Sequence, residues 1–406
     1  MVSSVGNAMN GPLDDLRVLD LSHYYAGPYA TMLLSFLGAE VVKIESPDGG
    51  EHGRTFYRRP GAPIGLPFAL MNSNKRSVTL NLKKPEGLEI FKRLVSRFDL
   101  LVENFAPGVM ARLGCDYQTL SSINPRLIYA SVTGYGRTGA YAKLPAFDPV
   151  VQAMGGIVGT TGEASGSPMR AGPTIADILG GAHFTAAILA AIRERDRTGK
   201  GLQAEIALYD AVIPTLTTHV GAYYGLGCTQ LRTGNRSPGA AIAPSSVYPA
   251  RDGYVLILGD SDERWRRLCD FMGRPELCRD ERFATSKARV EHQDELDQII
   301  ALWTRTFPKR ELMDRLNAGG VLCGMVQELP EVLTDPDLHQ RGMLQEIDHP
   351  SLGRITVITS PLRLHDKAPE VRKPAPVLGA DNEWFYENEL QISREGLAGL
   401  RSRGVV

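Results

Sequence analysis

Short apolar runs alternate with amphipathic stretches through the first 225 residues, and the period of the pattern switches from two to 3.6 and back. Leu16-Arg-Val-Leu-Asp-Leu-Ser22 reads as a strand. Ala26 to Gly38 reads as a helix, with Pro28 in its first turn and Gly38 closing it. Glu40-Val-Val-Lys-Ile-Glu45 is the next strand, completing a βαβ unit of about 30 residues. The alternation goes on through a strand at Ser77–Leu82, a helix at Pro85–Phe98, strands at Leu100–Asn104 and Leu127–Val132, and a helix near Val150–Val158. An apolar helix, Ile178 to Ile192, follows a Gly/Pro-rich approach that ends in Asp177. A strand, Gln203–Leu208, and a helix through about Tyr224 complete the series. Such alternation predicts an α/β fold: a Rossmann-like large domain around a parallel, doubly wound sheet.

Beyond residue 225 the pattern changes. Arg232 to Ala240 is loop-rich, Gly253–Leu258 is a short strand, and charged amphipathic helices fill Asp262 to Asn317. Strand signals return at Arg354–Thr359, followed by a Pro-rich stretch and a last helix, Arg394–Arg403. The expected organisation is a large domain over 12–225, a linker and smaller α+β domain over 226–340, and a segment over 341–406 that returns to the large domain.

A formal net charge of −1 argues against a nucleic-acid-binding face. Cys115, Cys228, Cys269, Cys278 and Cys323 lack metal-ligand spacing and read as thiols in a reducing compartment. No basic-then-apolar leader opens the chain, and Met1–Asn10 reads as a disordered polar tail. The apolar run after Asp177 is interrupted by His183 and Thr185 and reads as too short to span a bilayer. The expectation is a cytoplasmic protein with no membrane partner.

In an open α/β sheet the first strand–helix loop is a ligand site, here Ser22-His-Tyr-Tyr-Ala-Gly-Pro28. It lacks G-x-G-x-x-G, and the chain has no Walker A, nucleophile elbow, H-E-x-x-H or kinase signature. His23 is either a base or ligand, or a hydrogen-bonded bystander. Asn72-Ser-Asn-Lys-Arg-Ser77 is either a solvated turn or a phosphate clamp in which Lys75 is a point charge and Arg76 a fork, with Arg112 nearby. Asp177 has two readings as well. Thr174-x-x-Asp177 fits a capping box, while a carboxylate at a helix start that opens on a pocket can be a nucleophile.

Leu16-Arg-Val-Leu-Asp-Leu with Ala26-Gly-Pro, Leu37-Gly-Ala-Glu-Val-Val-Lys-Ile-Glu45, Asn74-Lys-Arg-Ser77 and Val102-Glu-Asn-Phe-Ala-Pro-Gly108 occur in this order. Phe147-Asp-Pro-Val-Val-Gln-Ala-Met-Gly-Gly156, Thr198-Gly-Lys-Gly201, Gly324-Met-Val, Asp335-Pro, Arg341-Gly-Met343, Pro376-Val-Leu-Gly379 and Gly404-Val-Val follow. The ordered set resembles the class III CoA-transferases, the formyl-CoA transferase and carnitine CoA-transferase family, over nearly the whole chain past residue 12. The resemblance implies that Asp177 attacks a donor acyl-CoA to give a mixed anhydride and then an aspartyl-CoA thioester. It implies CoA contacts from His23, Tyr24, Tyr25, Ala26, Asn74, Lys75, Arg76, Asn104, Phe105 and Arg112, no permanently bound cofactor, coenzyme A as a substrate, and an interlaced homodimer of linked rings.

The chain departs from formyl-CoA transferase at Tyr25, where that enzyme has Gln, and at Ser46 or Pro47, where it has an adenine-side Arg. Its Asn235-Arg-Ser-Pro-Gly239 loop is also poorer in glycine. These departures speak against a formyl/oxalate substrate pair. A small dicarboxylate acceptor, with succinyl-CoA or a similar short acyl-CoA as donor, is expected from the phenol and guanidinium donors available. Tyr24, Tyr25, Arg54, Arg170 and Arg236 would supply donors, with Gly239 in the closing loop. Two rivals stand beside this reading. One is a 2-methylacyl-CoA racemase, whose Gly-His-Asp-Ile-Asn-Tyr segment is here Ala146-Phe-Asp-Pro-Val-Val, without histidine. The other is a non-catalytic CoA-binding protein.

Overall fold

The computed structural model describes residues 11–240, 242–364 and 366–406. The polar tail expected at Met1–Asn10 lies outside them. The chain divides into two compact units. One comprises the described part of Met1–Val151 with Pro173–Val212 and Leu333–Val406; the other comprises Gln152–Gly172 and Ile213–Val332.

The first unit is built on a six-stranded parallel sheet: β1 Arg17–Asp20, β2 Glu40–Glu45, β3 Arg76–Thr79, β4 Leu100–Glu103, β5 Ile128–Thr133 and β6 Gln203–Ala207. The order is β3-β2-β1-β4-β5-β6, with Val18 opposite both Val41 and Leu100. The order reverses between β1 and β4, which puts the ligand crevice beyond the carboxyl ends of those strands. Successive side chains point to opposite faces. Leu19, Val42, Leu101 and Tyr129 pack with Phe91 and Leu94 of the helix Pro85–Val95. On the other side, α1 (Ala26–Phe36) and the long helix Ile175–Thr198 pack on each other and against the strands. Near-continuous apolar strands need this cover on both faces.

The C-terminal segment joins the same core: Phe385, Tyr386, Leu397 and Val405 are buried with the Phe91 cluster. A hairpin of β10 (Leu344–His349) and β11 (Gly353–Ile358) packs Ile355 and Val357 on Phe68 of the short helix Leu66–Met71. The second unit has a three-stranded antiparallel sheet, β7 (Ser245–Ala250), β8 (Gly253–Leu258) and β9 (Leu322–Met325). Trp265, Leu268, Leu296, Ile300, Leu312 and Leu316 form its core. Residues 152–172 and the helix Thr217–Leu226 group with this unit rather than with the large domain.

One expectation is corrected. The helix that carries Asp177 starts two residues before it, at Ile175, and runs 24 residues, long and apolar enough by length and composition to cross a membrane. His183 and Thr185 do not shorten it. Thr185 returns its hydroxyl to the Gly181 carbonyl at 2.9 Å, and Phe184 and Ile188 are buried within the unit.

Candidate active site

β1 ends in Asp20, and the chain turns through Ser22–Tyr25 into α1. Asp20 is fully buried and accepts from the Ser22 backbone N–H at 2.9 Å, the Thr31 hydroxyl at 2.7 Å and the Lys75 ammonium at 3.0 Å. Burial pushes its pKa up, but Lys43 and Lys75 outweigh this and hold it well below the usual carboxylate range. Gly27 is required here, because a Cβ would meet Ser22 Cβ at 2.3 Å. Tyr24 has φ +66°, the left-handed region that a side chain rarely adopts. Asn104, just past β4, grips the middle of the turn. Its carboxamide accepts from His23 N–H at 2.7 Å and donates to His23 C=O at 2.8 Å. The turn ends at Tyr25, the N-cap of α1, which caps no N–H with its side chain.

Asp177 stands in the first turn of the long helix, and the capping-box reading fails there. Thr174 is the N-cap but makes no side-chain cap. Asp148, at the start of the helix Asp148–Met154, does so instead: its Oδ1 accepts from Ala176 N–H at 2.7 Å and Asp177 N–H at 3.3 Å. No hydrogen bond to the Asp177 carboxyl occurs among the described residues. The expectation that the helix start keeps Asp177 readily ionised is also corrected. Burial, and then the like charge of Asp148, push its pKa up to about 7. The dipole effect of a helix start, commonly worth below about 1 kcal/mol, does not offset these.

Asp177 lines a cavity of about 320 Å³ in the first unit. Of the residues expected at the site, His23, Tyr24, Tyr25, Ala26, Asn104 and Phe105 line it too. Burial, with Lys43 second, pushes the His23 imidazole down to about 4, so it is neutral at physiological pH. Its ring meets Phe105 edge-on at 5.1 Å. Tyr24 stacks near His52 and contacts Phe56 and Phe147 at 5.3 and 5.7 Å between ring centres.

The cation clamp is not formed as expected. Lys75 is a core residue, 1% exposed. Its ammonium donates to Asp20, the Pro28 carbonyl, Thr31 Oγ1 and Asn72 Oδ1 at 2.7–3.0 Å, leaving no proton for a phosphate. Asn74 binds the Glu370 carbonyl and the Arg372 and Lys373 amides. Arg76 pairs with Asp381 and lies over Trp384 at 3.8 Å. These two residues hold the returning C-terminal segment. Arg54, expected to meet a substrate carboxylate, is 3% exposed and bound to Glu45, Ser77 and the Pro376 carbonyl, with Phe68 against its guanidinium. Arg112 ends the helix Val109–Arg112 and is exposed. Arg170, Arg236 and Gly239 lie in the second unit, where Arg236 is ion-paired to Asp294 and Asp297.

Sequence reasoning missed three contributors. Asp148 was visible only as the acid of Phe147-Asp-Pro, a helix-start signature whose partner lies 28 residues on. Phe147 lines the cavity. Val132 to Tyr135, at the carboxyl end of β5, form another wall. Among the described residues no group of His, Cys, Asp and Glu is arranged to hold a metal ion.

A carboxyl free of its own helix, in a half-open apolar cavity beside the uncapped first turn of α1, has the parts for acyl transfer. Residues 13–382 match the family described as CoA-transferase family III. The formyl-CoA:oxalate CoA-transferase of Streptomyces coelicolor is 37% identical, over 97% of this chain and 99% of its own. The succinyl-CoA–D-citramalate CoA-transferase of Chloroflexus aurantiacus is 36% identical, over 97% and 98%. A crystal structure of a CAIB/BAIF family protein from Brucella suis superposes with a TM-score of 0.84 at 34% identity, covering 94% of this chain and all of that one. The chain belongs to CoA-transferase family III.

Proposed function

We propose that this CoA-transferase moves CoA from a short acyl-CoA, with succinyl-CoA the first candidate, to a small dicarboxylic acid, through covalent intermediates on Asp177. The observation that carries the reading is the Asp177 carboxyl itself. Asp148 takes over its capping task, and its oxygens are left to the cavity.

In the first step an Asp177 oxygen attacks the thioester carbonyl, the C–S bond breaks, and CoA leaves as thiolate. The product is a mixed anhydride. The thiolate then attacks the aspartyl carbonyl, the donor acid leaves as carboxylate, and an aspartyl-CoA thioester remains. An acceptor carboxylate attacks that carbonyl and releases thiolate again. Attack of the thiolate on the acceptor's carbonyl yields the new acyl-CoA and restores Asp177. No redox step or net proton is needed, and one activated bond is carried throughout. The Ala176 and Asp177 N–H groups are engaged by Asp148, so the open first turn of α1 is the better source of oxyanion donors. The apolar walls formed by Phe105, Pro107 and Val132 suit the pantetheine arm, and exposed Arg112 suits its phosphates.

The acceptor class rests on relatives named for citramalate, glutarate and mesaconate as well as oxalate. A homodimer of interlaced rings is part of the same reading. Ala182, Ala186 and Ala190 of the long helix are exposed, an apolar stripe that a second copy can cover. A cytoplasmic location fits five free thiols. One donor, succinyl-CoA, offered with a panel of mono- and dicarboxylates in deuterated buffer, tests the proposal. Transfer to dicarboxylates without α-deuterium supports it. Strict preference for monocarboxylates removes the acceptor class, and α-deuterium incorporation without CoA exchange makes the protein a racemase.

A further inference from the structure

We propose that Glu51 is a positioning residue of the active site: its carboxylate holds the β1–α1 loop in the strained form that presents His23, Tyr24 and Tyr25 to Asp177. This rests on the reading that the Asp177 cavity receives the acyl-CoA.

Two peptide planes flank His23, and each of their polar groups is held by a side chain. Lys43 Nζ donates to Ser22 C=O at 2.6 Å, and Asn104 takes both His23 N–H and His23 C=O. Tyr24 N–H, the fourth group, donates to Glu51 Oε2 at 2.8 Å. That last bond falls on the residue whose backbone is left-handed. A non-glycine residue there is strained, and persists only where its surroundings over-determine it. A hydrogen bond to a buried carboxylate is among the stronger single bonds available to offset such a cost.

Glu51 is itself fixed. It is 1% exposed, Lys43 Nζ stands 3.2 Å from its Oε1, and its own N–H donates to Glu45 Oε1 at 3.1 Å. Glu45 is in turn held by Arg54. Lys43 and Glu51 thus form one buried ion pair that grips the loop on both sides of His23. Neither side chain lines the cavity. Their effect on catalysis runs through the backbone of Ser22–Tyr24.

Glu51→Asp keeps the charge opposite Lys43 but draws the acceptor back by one methylene. Three readouts on the full-length enzyme decide the matter: hydrogen exchange in peptides covering 22–29 against β1 and β4, steady-state KM and kcat for acyl-CoA, and covalent labelling of Asp177. The expected result is faster exchange confined to 22–29 and a KM raised about tenfold, the loss of one charge-assisted hydrogen bond, with kcat within about threefold. Wild-type exchange and KM in the variant overturn the proposal, as does exchange that rises equally in β1 and β4, the mark of a merely structural role. Should Glu51→Asp not fold, Lys43→Arg, which keeps the counter-charge and alters the grip on Ser22, is read the same way. Wild-type enzyme that never labels at Asp177 overturns the reading of the cavity and this proposal with it. Labelling with unchanged variant kinetics overturns this proposal alone.

Discussion

Asp148 caps the helix on which Asp177 stands: one oxygen of Asp148 accepts the backbone N–H of Ala176 at 2.7 Å and of Asp177 at 3.3 Å. The arrangement has two consequences. It frees the Asp177 carboxyl for the cavity, and it places a second negative charge close enough to resist ionisation of the first.

The pH profile should show that coupling. In the proposed mechanism Asp177 attacks as carboxylate; its pKa is pushed up to about 7, so kcat/KM should fall tenfold per pH unit below that value. Asp148→Asn keeps an oxygen acceptor for the two N–H groups while removing the charge. Its acid limb should therefore move to lower pH. A pH–rate profile of both proteins checks this, and an unmoved or raised inflection contradicts it.

Stability should carry the opposite sign. The folded pKa of Asp177 stands above the ordinary carboxylate value of 3.8, so the stabilisation its proton brings is complete below about pH 4 and is lost as pH rises through about 7. Asp177→Asn removes that loss. At pH 8 the variant should be more stable than wild type by roughly 1–4 kcal/mol, and at pH 4 nearly equal to it. Urea unfolding at the two pH values measures the difference.

The two cations at 75 and 112 should separate cleanly. Lys75→Met leaves Asp20 buried beside Lys43 without its nearest counter-charge, and should cost about 3–5 kcal/mol of stability. Arg112→Ala touches an exposed residue and should leave Tm nearly unchanged while raising the KM for acyl-CoA severalfold, since the phosphate contact proposed for it would be lost. Thermal melts with acyl-CoA titrations report both. A stable Lys75→Met with weakened CoA binding would restore the clamp that the structure removes.

Oligomeric state is a fourth check. If a second copy covers the stripe of Ala182, Ala186 and Ala190, light scattering should give twice the 44.3 kDa chain mass. Ala186→Glu should disturb assembly. A monomer with full activity contradicts the linked-ring reading.

The strands and helices around the crevice were legible because their signal is local. Val18-Leu19, Val41-Val42 and Leu100–Val102 are apolar runs bounded by turns, and Pro28 and Gly38 punctuate α1. The short helix Leu66–Met71 was not, since six apolar residues carry too little period to separate helix from strand. At the site, the loop residues were readable as a place but not as a conformation. Nothing in Ser22–Tyr25 announces a left-handed Tyr24, because the groups that hold the turn lie far along the chain: Glu51, 27 residues from Tyr24, and Asn104, 81 residues from His23. The cations were misread for the same reason. Lys75 beside a strand looks solvated until Asp20, 55 residues earlier, is brought to 3.0 Å, and Arg54 looks free until Glu45 folds back on it. Charge is visible in a sequence, whereas its neutralisation is a tertiary fact. Asp177 itself was ambiguous on local pattern, and the ordered motifs of the family, not its own surroundings, singled it out.

Trapping the intermediate tests the chemistry most directly. The enzyme is incubated with succinyl-CoA alone and then treated with hydroxylamine or borohydride, and the peptide that contains Asp177 is weighed by mass spectrometry. An acyl- or CoA-dependent modification on Asp177, absent without substrate and absent in Asp177→Asn, is the predicted result. A peptide of unchanged mass while CoA transfer proceeds would contradict covalent catalysis at this residue.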